Sequence, residues 1–295
     1  MDRLRRHPIE NIIVHMSFVS LIFHKARLSL HLDLSWIRIP ENRYTWQYII
    51  KKYVFIVLSP LFWDRASTSY SIRLLGRRAY IPTVEHVAFL QGTYIDHAYL
   101  ATYIGTNHTI IDIGAHTGEF AIVCETILDP KTIFSFEPIE QSYTLLKHNK
   151  RDHIYHFGIG TKQHQMMYIG KNTVTASGIM DSPEDRTEVV SCKKLDDIQE
   201  IRSLERIELL KIDVEGMEYD VIQASKTTIQ KSEYILIEIS FGRESKATTF
   251  QTIELLRSYV PRLRLVHIGN VFYNRDHTTQ VAVDMLFHNP DPQRL

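Results

Sequence analysis

The sequence predicts an α/β fold: a mostly parallel sheet covered by helices and finished by an antiparallel hairpin. Three observations predict it. From about residue 86 onward, short β-branched or apolar runs alternate with helix-period segments. Runs such as YILI (234–237) are apolar without a break, the pattern of strands covered on both faces. The last two runs are joined only by Gly269 to Thr279, too short for a crossover helix, so they must pair antiparallel.

The elements follow in order. HTIIDI (108–113), TIFSFE (132–137), HIYHFGI (153–159), IELLKID (207–213), EYILIEI (233–239), RLRLVHI (262–268) and QVAVDMLF (280–287) read as the strands of a seven-stranded sheet. Helical patterns occupy roughly 118–128, 139–149, 217–230 and 246–259. The segment 160–206 interrupts the alternation. HQMMYI (164–169), the polar loop NTVTASG (172–178) and TEVVSC (187–192) predict an inserted β-hairpin, a lid able to hold substrate beside the site.

Residues 86–295 therefore read as one domain and residues 1–85 as a helical or irregular extension, which carries all three tryptophans, Trp36, Trp46 and Trp63. Its apolar runs at 11–23 and 53–63 contain His15 and Pro60 and fall short of the roughly 20 residues a spanning helix needs. Arg3, Arg5 and Arg6 resemble the charged start of a signal peptide, but His24, Lys25 and Arg27 stand where a small-residue cleavage site belongs. The extension is expected to pack on the main domain, with peripheral membrane contact as the alternative.

Lys plus Arg and Asp plus Glu number 34 each, so no overall field favours nucleic acid or an anionic membrane. Hydrophobic residues make up 44% and charged residues 23%, the balance of an ordinary globular protein with a sizeable core. Cys124 and Cys192 form no C-x-x-C pair or zinc spacing, which suits a reducing, cytoplasmic location. Cys124 lies in an apolar helical pattern and is expected in the core.

Chemistry concentrates at three strand ends. In IIDIGAHTGEF (110–120) a β-branched run ends at Asp112, and Gly114, Ala115, His116, Thr117 and Gly118 form a glycine loop before a helix. Ligands of such sheets lie at the carboxyl ends of strands. The spacing is Asp-x-Gly-x-x-x-Gly, not the Gly-x-Gly-x-x-Gly that cradles a pyrophosphate. It suits S-adenosylmethionine, whose cationic end would face Asp112 and whose carboxylate would meet backbone amides. Glu137, at the tip of the next strand and followed by Pro138, can accept hydrogen bonds from the two ribose hydroxyls. In IELLKIDVEGMEYDVIQA (207–224), Asp213, Glu215 and Glu218 gather at a strand end and first helical turn, where a methyl acceptor would sit. Glu218 is equally explained as a partner of the helix dipole.

IIDIGAHTGEF, FSFEP, Leu195-Asp196-Asp197, LLKIDVEGMEYDVI and ILIEI, in this order over roughly residues 90–240, resemble the FkbM family of methyltransferases. Val174 and His116 depart from that family's Gly and Asn. The resemblance implies the Rossmann-like class I methyltransferase fold. It also implies O-methylation of a sugar, glycan or small metabolite, with S-adenosylmethionine held by Asp112 through Gly118 and by Glu137 and Asp213 near the methyl group.

Methyl transfer is an in-line displacement in which positioning supplies much of the rate, and an alcohol acceptor also loses a proton. Two arrangements compete for that proton. In one, Asp213, His116 or His267 takes it directly. In the other, Asp213 and Glu238 share a Mg²⁺ that acidifies the hydroxyl; the metal-free version is preferred. Rival functions on the same architecture are a nicotinamide-dependent oxidoreductase, disfavoured by the glycine spacing and terminal hairpin, and a non-catalytic cofactor-binding module. A nucleic-acid methyltransferase is disfavoured because Asp213-Val214-Glu215-Gly216 stands where a base-flipping Asn/Asp-Pro-Pro-aromatic motif would lie.

Overall fold

The computed structural model describes residues 70–74, 77–81, 93, 96–150, 152–169, 176–177, 186–241, 248–273 and 280–293. The helices expected at 11–23 and 53–63 lie outside them, as does most of the 172–178 loop. The chain divides into two units, Met1–Ile95 and Asp96–Leu295, where the sequence reading put the boundary near 85. In the first unit, β1 (Tyr70–Leu74) and β2 (Arg77–Ile81) pair as an antiparallel hairpin.

The second unit begins with a 3₁₀ turn at Ala98–Thr102 and then alternates strand and helix. β3 (Thr109–Ile113), α1 (Glu119–Ile127), β4 (Thr132–Phe136) and α2 (Glu140–Asn149) lead to β5 (Ile154–Tyr155) and β6 (Gly158–Ile159). The insert follows as β7 (His164–Ile169), β8 (Ala176–Ser177) and β9 (Arg186–Lys193), then a 3₁₀ turn at Leu195–Asp197 and α3 (Gln199–Arg202). β10 (Ile207–Ile212), α4 (Glu218–Gln223), α5 (Lys226–Lys231), β11 (Ser232–Ser240), α6 (Thr249–Tyr259), β12 (Arg264–Tyr273) and β13 (Gln280–His288) complete it.

The main sheet has seven strands in the order β12-β13-β11-β10-β3-β4-β5. The pairs joining β11, β10, β3, β4 and β5 are parallel, and β13 runs antiparallel to both β11 and β12. This is the expected sheet with its closing hairpin. Alternate residues of each strand bury on opposite faces, as the pleat requires. Ile111, Ile113, Phe134, Phe136, Leu210, Ile212, Ile235 and Ile237 form one core layer. Ile110, Leu209, Leu236 and Leu286 pack on the other side against Leu100, Phe120 and Cys124, so Cys124 is a core residue.

Three elements differ from the sequence reading. The run 153–159 is not one strand: β5 joins the main sheet, while β6 pairs in parallel with β9 in a second sheet of order β6-β9-β7-β8. The predicted β7/β9 hairpin is present but is half of that four-stranded sheet. The helix expected at 217–230 breaks at Ala224–Ser225 into α4 and α5. The Asp196 carboxylate explains the break: it accepts from the backbone N–H groups of Thr227 and Thr228 at 2.8 and 2.9 Å, giving α5 its own capped start. Among the described residues no helix is long and apolar enough to cross a membrane.

The β3 and β10 ends cross closely just past the sheet. The N–H of Gly114 bonds to the carbonyl of Phe136, and that of Asp213 to the carbonyl of Ile113, both at 3.0 Å. Gly114 has φ +80°, and a Cβ there would lie 1.8 Å from the carbonyl oxygen of Asp213. Only glycine fits both the backbone angle and the crossing. Gly114→Ala is therefore expected to destabilise the domain by more than about 2 kcal/mol, read as a shifted urea midpoint.

Candidate functional site

The sheet's register sets a row of ionisable side chains on one face of its carboxyl end. Asp112 on β3 is the partner of Lys211 on β10. Asp213 follows Lys211 by two residues and shares its face. Glu238 on β11 is the partner of Asp284 on β13.

Lys211 organises the first half of this row. Its ammonium lies 3.3 Å from Asp112 Oδ1, 3.1 Å from Asp213 Oδ2 and 3.4 Å from the Gly114 carbonyl. Burial opposes its charge, but Asp213 and Asp112 outweigh that and hold its pKa above the ordinary lysine range. Asp112 is fully enclosed, and burial pushes its carboxyl upward against the pull of Lys211. This carboxylate, assigned by sequence to a ligand's cationic end, is instead a structural ion-pair partner. Asp213 is the acid left partly exposed, its side chain 34% accessible.

The glycine loop is held from the other side. Glu137 Oε2 accepts from the His116 N–H and Oε1 from the Ile139 N–H, both at 2.8 Å. The loop's Gly114 and Ala115 N–H groups both reach the Phe136 carbonyl at 3.0 Å. Burial drives the Glu137 carboxyl up to about 7, against His116 and its two backbone donors. His116 Nδ1 lies 3.2 Å from Glu119, whose carboxylate also accepts from the Thr117 hydroxyl. Burial opposes charge on His116, but Glu119, then Glu137 and Asp213, push its pKa to about 9, while Glu119 falls to about 2. His116 is thus an imidazolium at neutral pH and a poor proton acceptor. Thr117 is buried, its carbonyl held by the Asn149 amide at 2.6 Å. Gly118 has φ +97° and packs on Leu146 and Asn149. Pro138 packs beside Gly158, starting the turn out of β4.

Beyond Lys211 the row continues with further acids. Oxygens of Asp213, Glu215 and Glu238 lie within 4.8 Å of one another. Burial, then Asp213, Glu215 and Asp284, push the Glu238 carboxyl well above its ordinary value. Burial and Asp213 raise Asp284 to about 7, and burial alone raises Asp96 to about 6. His267 does not join the acids; its ring stacks on Tyr99, centroids 3.8 Å apart. Glu218 is structural: it accepts from the Gly216 N–H at 2.7 Å and the Ser240 hydroxyl at 3.4 Å.

Sequence reasoning missed Asp284, Asp96 and Glu119 and gave Lys211 no role. A signal existed for two of them. Asp284 in QVAVDMLF and Lys211 in IELLKI are lone charges inside apolar strands.

Residues 112–263 match the Methyltransferase FkbM domain, more than half of the chain. The chain belongs to the FkbM methyltransferase family. Among its relatives are Methyltransferase 1 of Beauveria bassiana, 25% identical over 44% of this chain and 63% of that protein, and the hexuronic acid methyltransferase AglP of Haloferax volcanii, 22% identical over 47% and 58%. The chain thus spans less than two thirds of these curated relatives. A solved FkbM methyltransferase from Methylobacillus flagellatus is similar at TM-score 0.40 and 12% identity, covering 68% of this chain and 54% of that one. The family's matched region spans the glycine loop, Glu137, Lys211 and the Asp213–Glu238 acids.

Two outcomes follow from the charges. Lys211→Met leaves Asp112 buried without its cation and is expected to cost about 3–5 kcal/mol in chemical denaturation. Adding Asp112→Asn should recover much of that, so the pair is strongly non-additive. For His116, the folded pKa of about 9 exceeds the ordinary 6.5. Its contribution is therefore complete below pH 6.5 and lost as pH rises through 9. The gap in melting temperature between the native chain and His116→Asn should narrow across that window.

Proposed function

We propose that this chain moves a methyl group from S-adenosylmethionine to a hydroxyl oxygen of a sugar, glycan or small metabolite. The observation that carries the reading is the clamp at the β3/β4 ends. Glu137 fixes the glycine loop through His116, and Gly114 brings bare backbone against Asp213. S-adenosylmethionine supplies a methyl group on an electrophilic sulfonium.

The residues fit that molecule. Each Glu137 oxygen accepts one backbone N–H and keeps lone-pair capacity for a ribose hydroxyl. With Asp112 enclosed, Asp213 is the carboxylate that would face the cationic amino-acid end. The acceptor hydroxyl belongs beside Asp213 and Glu238, whose oxygens lie together at the ends of β10 and β11; burial raises the Glu238 carboxyl, so Asp213 is the acid placed to take the proton. His116, already protonated, would hold charge rather than take the proton. A sugar acceptor is supported by the relative named a hexuronic acid methyltransferase.

Glu137→Ala should weaken S-adenosylhomocysteine binding at least tenfold in calorimetry, because hydrogen bonds to a charged group contribute about 1.5–3 kcal/mol. Asp213→Ala should lower turnover more than cofactor affinity, measured with labelled methyl groups in fractionated cell extract. Unchanged cofactor affinity in the Glu137 variant would refute the assignment.

A further inference from the structure

The inserted segment carries at its base a cleft of about 550 Å³, within the roughly 300–1,000 Å³ of small-molecule sites. Neither the glycine loop, Glu137 nor Asp213 lines it. Tyr155 and Phe157 come from β5 and the residues just after it, Lys162 and Gln163 from the turn after β6, and Lys193 and Lys194 from the end of β9. Backbone bonds fix this wall. The Gly160 N–H donates to the Lys193 carbonyl at 3.0 Å, and the Cys192 N–H to the Gln163 carbonyl at 2.8 Å. The Thr161 hydroxyl ties the same turn to Asp220 on α4 at 2.7 Å.

The cleft is basic in a chain whose charges balance. Lys162, Lys193 and Lys194 line it with one acid, Asp197, and none of the three ammonium groups is in an ion pair with a described residue. The acids behind the wall are engaged elsewhere: Asp220 accepts from Thr161 and Glu200 from the Tyr155 hydroxyl. The Lys193 ammonium is already placed, 4.4 Å from the centre of the Phe157 ring in a cation–π contact. Gathered cations of this kind raise the local concentration of anions. The remaining groups suit hydroxyls: Gln163 and Gln199 offer amides and Asp197 a carboxylate. Tyr155 and Phe157 add apolar ring surface. These two rings pack together at 5.8 Å and 56°, and Tyr155 stacks on Phe136, so no slot opens between them for a flat base.

We propose that this cleft binds an anionic saccharide. Its carboxylate or phosphate group would lie among Lys162, Lys193 and Lys194, its hydroxyls at Asp197, Gln163 and Gln199, and its apolar face against the two rings. An inorganic anion would use only the lysines, and a neutral sugar would leave them without a counter-charge. A ligand carrying both features uses the whole wall. The sequence reading expected the 160–206 insert to hold substrate, and the cleft lies at the base of that insert. Its role depends on the hydroxyl-methylation reading: it would anchor the charged part of an acceptor glycan apart from the Asp213 and Glu238 carboxylates. Saccharide binding itself does not depend on that reading.

The test titrates the full chain by calorimetry with trigalacturonate, glucose 6-phosphate, maltotriose, inorganic phosphate and AMP. One equivalent of trigalacturonate or of glucose 6-phosphate is expected to bind, and which of the two binds tells carboxylate from phosphate. Its affinity should fall as salt rises. Maltotriose and inorganic phosphate should bind about tenfold more weakly or less. The double variant Lys162→Glu, Lys194→Glu should weaken the acidic sugar by about tenfold or more, the loss of one to two charge-assisted hydrogen bonds. Both lysines are exposed, so the melting temperature and S-adenosylhomocysteine affinity of the variant should match the native chain, which separates lost charge from misfolding. Absence of binding by both acidic sugars, or unchanged affinity in the variant, overturns the site. Maltotriose or inorganic phosphate binding as tightly as the acidic sugars, or AMP binding more tightly, overturns the assigned ligand class. S-adenosylhomocysteine binding without acidic sugar sinks the saccharide site alone. Acidic sugar binding without S-adenosylhomocysteine sinks the methyltransferase reading and keeps the site.

Discussion

Lys211 is the cation on which the carboxyl end of the sheet depends. It stands in a strand whose six residues are all buried, between Asp112 on the next strand and Asp213 beyond its own end. Without it, Asp112 would be a bare charge in the core and the crossing of the β3 and β10 ends would lose its anchor at the Gly114 carbonyl. The ion pairs need not add net stability over an apolar core, because desolvation offsets much of the attraction. What they fix is register. Asp112 and Lys211 must be paired neighbours, so β3 and β10 cannot slip by one residue without burying two unmatched charges.

The sheet was legible because its signals are local and redundant. β-branched runs, glycine turns and a link too short for a helix each point the same way. The misread elements are those decided by distant partners. Nothing in HIYHFGI says that Tyr155 pairs with Phe136 while Gly158 pairs with Cys192. Nothing in the 217–230 pattern announces that Asp196, about 30 residues earlier, will cap a second helix at Thr227. Such tertiary contacts override helix periodicity.

At the site, the glycine loop and Glu137 were legible because each acts through its own segment. The role of Asp112 was not. A carboxylate at a strand tip faces a cleft only if the fold leaves it exposed, and Lys211, beside which Asp112 is enclosed, lies 99 residues away in sequence. His116 shows the same limit. As a lone histidine in a loop it could serve as a base; with Glu119, Glu137 and Asp213 around it, the imidazole is charged. Asp284 went unread because the terminal hairpin was taken as a closing element, and only the antiparallel register with β11 brings it beside Glu238.

These charges divide the carboxyl end of the sheet into two unlike halves. Around the glycine loop each acid has a partner: Glu119 has His116, Asp112 has Lys211, and Glu137 has backbone N–H groups. Toward β13 burial raises the proton affinity of Glu238 and Asp284. Under the proposed reading a sulfonium would lie at the border between the halves, at Asp213, and the acceptor on the acidic side. Under that reading a carboxylate acceptor would bring a further negative charge beside Asp213 and Glu238, whereas a neutral hydroxyl would donate into them. The electrostatics that holds Asp112 beside Lys211 would then weigh toward an alcohol as the acceptor in the proposed reaction.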